Sequence, residues 1–83
     1  MESESRVAVI AMIIDNVQAI NEVNELLHRY SRYIIGRMGI PYRERGLNII
    51  NVVVDAPADA VSSLSGKLGR LSGVTCKAVY SKL

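Results

Sequence analysis

Apolar positions along the chain switch between two periods. The run Val7 to Ile14 (VAVIAMII) is β-branched and continuous rather than alternating, the mark of a strand covered on both faces. Asp15 follows, and Gln18 three residues on completes an Asp-x-x-Gln capping box, which predicts that a helix starts there. From Asn16 to Tyr30 the period becomes helical. Ala19, Ile20, Val23, Leu26, Leu27 and Tyr30 share one stripe, while Asn21, Glu22, Asn24, Glu25, His28 and Arg29 face away.

Tyr33 to Ile40 (YIIGRMGI) returns to strand character, and Gly36 and Gly39 within it predict a twisted or bulged edge strand. Pro41 to Gly46 (PYRERG) has the composition of a loop between antiparallel strands. Leu47 to Val54 (LNIINVVV) is a third strand, apolar on both faces like the first. Asp55-Ala56-Pro57 then opens a second helix, expected from about Pro57 to Ser72, with Val61, Leu64, Leu68 and Leu71 on its stripe and Gly73 as its C-cap. Val74 to Ser81 alternates as a one-sided last strand, with Val74, Cys76, Ala78 and Tyr80 inward.

The order β-α-β-β-α-β is the split βαβ arrangement. It predicts an α+β, ferredoxin-like sandwich: a four-stranded antiparallel sheet in the order 4-1-3-2 with both helices on one face. The two strands that read as apolar on both sides take the centre. The face without helices then exposes Val, Ile and Met side chains at the sheet centre, more than a monomer usually leaves to water. A second copy of the chain is the expected cover, as homodimer or homotetramer, with Val9, Ile13, Ile50 and Val52 as the expected interface residues.

Composition narrows the alternatives. A chain of 83 residues is read as one domain spanning 1–83, small enough to need a disulfide, a metal or a partner. One cysteine, Cys76, excludes an internal disulfide, and one histidine, His28, makes no metal-ligand pair with it. No metal and no cofactor are expected. The segment Met1 to Ser5 is polar and acidic, unlike a secretory or transit peptide, so a cytoplasmic location is expected. The longest apolar run is far below the roughly 20 residues of a membrane span, so no membrane role is expected. A net charge of +2 decides nothing.

Arg29, Arg32, Arg37, Arg43 and Arg45, interleaved with Tyr30, Tyr33 and Tyr42, are the candidate binding chemistry. Arginine and tyrosine together hold phosphates and stack on bases, so nucleic-acid or anion binding by the 29–45 region is one alternative. The other, which is favoured, is a solvated rim whose arginines pair with acidic groups of a neighbouring subunit. For an effector or partner, Arg37, Tyr42, Arg43 and Arg45 are the candidate residues. An RNA platform is not expected, because Leu47 and Ile49 stand where stacking aromatics belong and the chain has no Phe or Trp. No DNA-reading module is left once the six elements are assigned. Cys76 reads as a small core residue and His28 as a surface histidine. No Ser/His/Asp or Cys/His group and no phosphate-cradling glycine loop is present, so an enzyme is not expected.

VAVIAMIID, the Asn-rich first helix, GRMGIPYRERGLNIINVVVDAP and LSGKLGRLSGVTCKAVYSK together resemble a family of short bacterial proteins assigned as regulators of iron-only hydrogenase systems. The resemblance spans essentially the whole chain, and Gly36 to Pro57 is its most specific part. That family is similar in fold to ACT domains and to the C-terminal domain of nickel-responsive regulators. The resemblance therefore implies an ACT-like, non-catalytic regulatory oligomer that senses a small effector or contacts a separate regulatory protein. Asp15-Asn16-Val17 lacks the glycine of amino-acid-binding ACT domains, and a lone His28 and Cys76 do not match a nickel-sensing set.

Overall fold

The computed structural model of the chain describes residues 5–82; Leu83 and all but Ser5 of the polar N-terminal segment lie outside them. The elements are β1 (Ser5–Ile14), α1 (Ala19–Arg29), β2 (Ile34–Tyr42), β3 (Leu47–Pro57), α2 (Ala58–Gly69) and β4 (Val74–Tyr80). Short 3₁₀ turns occupy Ser31–Tyr33 and Arg43–Arg45. The sheet order is β2-β3-β1-β4 with every pair antiparallel, which is the expected 4-1-3-2 order read from the other edge.

One face of the sheet holds the core. Ile10, Met12 and Ile14 of β1 and Val52 and Val54 of β3 pack with Val23 and Leu27 of α1 and with Val61, Leu64 and Leu68 of α2. Each such side chain contributes about 1.5–3 kcal/mol by leaving water. The alternation along β1 is strict, every second residue from Ala8 to Ile14 being buried. A strand that is apolar without a break from Val7 to Ile14 is thus covered on one side only within this chain.

Four local expectations need correction. The capping box does not form: the Asp15 amide donates to the Gly73 carbonyl at 2.8 Å, and Asn16 turns the chain instead, its Oδ1 accepting the Gln18 N–H at 3.0 Å. That Asx turn delays α1 to Ala19. β3 is longer than expected because Asp55 and Ala56 pair with Val7 and Arg6, so α2 begins at Ala58 with Pro57 as its N-cap. α2 stops at Gly69, and Gly73 is the positive-φ residue (82°) of the turn into β4 rather than the helix C-cap. Pro41 and Tyr42 belong to β2, where they pair with Asn48 and Leu47; Gly46, at φ 64°, closes the turn. Proline is tolerated there because β2 is an edge strand. The expected irregularity in β2 is a register shift between Ile34 and Gly36, which leaves Ile35 out of the pairing.

Candidate functional site

Cross-strand partners share a face, so the register defines what the uncovered side presents. Val9 pairs with Val53 and with Val79; Ala11 with Asn51 and Lys77; Ile13 with Ile49 and Thr75. β2 adds Gly36 beside Val53, Met38 beside Asn51 and Ile40 beside Ile49. These are three rows running across all four strands. Val9, Ile13, Met38, Ile40 and Val79 are all exposed, Ile13 by 48% and Met38 by 53%. Lys77 is the charged residue of these rows, at the β4 edge, and Asn51 is the amide at their centre.

Two of the expected interface residues are on the wrong side. Ile50 and Val52 are 7% and 0% exposed and belong to the core beneath the helices. Val9 and Ile13 are on the open face, where their β3 neighbours are Val53 and Ile49. Because both faces of β3 are apolar, hydrophobicity gave no phase for that strand; the odd-to-odd pairing of β1 with β3 supplies it.

The Arg/Tyr region does not form one patch. Arg37 points to the helix side of β2, its Nη2 donating to Asn24 Oδ1 at 2.7 Å. Tyr42 is on the open face beside Leu47. Arg43 lines a cleft of about 390 Å³ with Val17, Ile20, Pro41, Gly46, Leu47 and Asn48, at the end of the sheet near the start of α1. Arg45 is exposed in the adjoining 3₁₀ turn. Arg29 pairs with Glu25 at 3.1 Å, and Arg32 lies over the Tyr33 ring at 4.8 Å and donates to its hydroxyl. Three of the five arginines are thereby engaged by neighbours.

Tyr30 joins the two helices, which sequence reading did not anticipate beyond its place on the stripe. Its hydroxyl is 3.1 Å from Ser63 Oγ and accepts from Lys67 Nζ at 3.2 Å. Those two hydrogen bonds, Ser63 first, lower its pKa from the usual value. Cys76 is half-buried on the helix side, with Sγ 3.9 Å from Ser65 Oγ. Burial pushes the thiol pKa up against the smaller opposing effect of Ser65, so the group is a neutral thiol at ordinary pH. His28 is exposed and lines a second cleft beside Arg37. Among the described residues no group of three or more His, Cys, Asp or Glu side chains could hold a metal ion, and no helix is long and apolar enough to cross a membrane.

The chain superposes on the structure of uncharacterized protein TM1266 from Thermotoga maritima with a TM-score of 0.91 and 41% sequence identity, covering 95% of this chain and 100% of that one. No curated protein matches. The TM1266-like family model, described as "Iron-only hydrogenase system regulator, putative", matches residues 6–78, and the chain belongs to that family.

Proposed function

We propose that the chain is a non-catalytic, cytoplasmic regulatory module of the iron-only hydrogenase system that works as a homo-oligomer, its open sheet face covered by a second copy. The observation that carries this is the row pattern: all four strands contribute Val, Ile or Met side chains to the side the helices leave bare, with Asn51 at the centre and Lys77 and Thr75 at the β4 edge as the polar exceptions in these rows. Strands about 4.8 Å apart and about 24 Å long give a face of about 500 Å² before side-chain relief. Two such faces together reach about 1,000 Å², the lower bound for a specific interface. Burying several of these side chains is comparable with the whole stability of a small domain.

Within this reading an effector meets the chain at the Arg43 cleft. A guanidinium there stands beside the apolar Ile20, Pro41 and Leu47, a setting suited to a small anion with an apolar part. The alternative of nucleic-acid binding is less well supported, since Arg29, Arg32 and Arg37 are held by Glu25, Tyr33 and Asn24.

Sedimentation at micromolar concentration tests the assembly, with a dimer or larger species expected. A folded monomer there overturns the proposal. For the regulatory role, loss of the chain from its cell should change iron-only hydrogenase transcript levels; unchanged transcripts and activity count against it.

A further inference from the structure

The open face is asymmetric in a way that selects how a second copy meets it. Its middle row runs Met38, Asn51, Ala11, Lys77 from the β2 edge to the β4 edge. In the row beside it, Gly36 and Val79 hold the two edges. One edge thus presents a flexible thioether and a missing side chain, and the other an ammonium and a 65% exposed valine.

Two sheets related by a two-fold axis between them pack with strands nearly aligned or nearly perpendicular. An aligned pair whose axis runs across the strands through the middle row, the position that keeps all three rows of both faces in contact, sets each Lys77 against Lys77 of the partner subunit, like charges facing one another between sheets about 10 Å apart. In a perpendicular crossing Lys77, about 7 Å from the centre line, is carried over the central strands and onto valine and isoleucine side chains, where a charge is costly. The remaining arrangement has its axis along the β1–β3 seam, and it avoids both penalties.

We propose that two copies pack face to face about that seam, so that Met38 of each covers Lys77 of the partner subunit. This rests on the self-association proposed above and names its geometry. Lys77 lays its aliphatic stem on the thioether and keeps its ammonium in water at the rim. Val79 enters the space left by Gly36 of the partner subunit, where an added Cβ would meet nothing within 4 Å in its own chain. Asn51 lies over the small Ala11 of the partner subunit. The two Asn51 amides flank the axis about 5 Å apart laterally and bond each other, which disfavours slipped arrangements as a single polar residue does in other apolar interfaces.

Charge substitution at Met38 tests this, because Met38 and Lys77 are on opposite edges of one chain and meet only between copies. Met38→Glu places a carboxylate over Lys77 of the partner subunit, and the dimer should stay within about threefold of wild type or tighten. Met38→Lys opposes two ammonium groups and should weaken association roughly tenfold or more. Adding Lys77→Glu to Met38→Lys restores the complementary pair and should restore the dimer. Circular dichroism on each variant confirms the fold, which an exposed position should keep. Equal weakening by Glu and Lys, or no effect from either, overturns the seam geometry while wild type remains a dimer. A monomeric wild type overturns self-association itself.

Discussion

The Asp15 amide donates to the Gly73 carbonyl at 2.8 Å, tying the turn after β1 to the turn before β4. Gly73 also has φ 82°, and a Cβ there would collide with Asn16 Cβ and come within 2.9 Å of Asp15 Oδ1. Left-handed backbone alone costs a side chain about 1–2 kcal/mol. Gly73→Ala should therefore destabilise the fold by about 2 kcal/mol or more in urea melts. Gly46→Ala, at φ 64° with open space around it, should lose only the backbone part. Equal losses at the two glycines contradict the close approach.

Substitutions on the two sides of the sheet should separate assembly from folding. Ile13→Glu removes an exposed isoleucine from the open face, and in the proposed dimer it should weaken association by about a hundredfold or more while each chain stays folded. Val52→Glu buries an unpaired charge under the helices and should unfold the chain, since several kcal/mol is most of a small domain's stability. Sedimentation and circular dichroism on both variants check this. Unfolding by Ile13→Glu would place that residue in the core instead.

Cys76 should make stability fall at alkaline pH. Its folded pKa is raised above the usual 9.0, first by burial. The stabilisation from keeping the thiol neutral is present below about pH 9 and is lost as pH rises through the folded value, because the unfolded chain ionises first. Urea midpoints at about pH 8 and about pH 10 should show a steeper decline for wild type than for Cys76→Ala. Parallel declines would exclude a contribution from this thiol.

Titration with single- and double-stranded DNA at about 0.15 M salt should give no binding tighter than about 10⁻⁴ M, the weak end of the non-specific range. The reason is local: Arg29, Arg32 and Arg37 each have a neighbour in the fold, and Arg37 is on the opposite side of the sheet from Tyr42. Micromolar binding abolished by Arg43→Ala together with Arg45→Ala would revive the nucleic-acid reading.

Much of the architecture was legible because its signals are local. The stripe Ala19 to Tyr30, the unbroken VAVIAMII run and the alternation of β4 each specify an element within a few residues, and the order of elements then leaves one sheet topology. Boundaries were less legible where distant pairing wins over a local motif. Asp15 is drawn to Gly73 instead of capping α1, and Asp55 and Ala56 extend β3 by pairing with β1. The Arg/Tyr stretch, contiguous in sequence, is divided between the two sides of β2 and a cleft at the sheet's end.

Chain chemistry alone settled that the central strands carry more apolar surface than two helices cover. Which residues make that surplus was decided only in three dimensions. A strand apolar on both faces has no preferred phase of its own, so Ile50 and Val52 could not be told from Ile49 and Val53 until β1 paired with β3. The same pairing sets Asn51 at the centre of the open face and puts Met38 and Lys77 in one row on opposite edges, a relation between residues far apart in sequence.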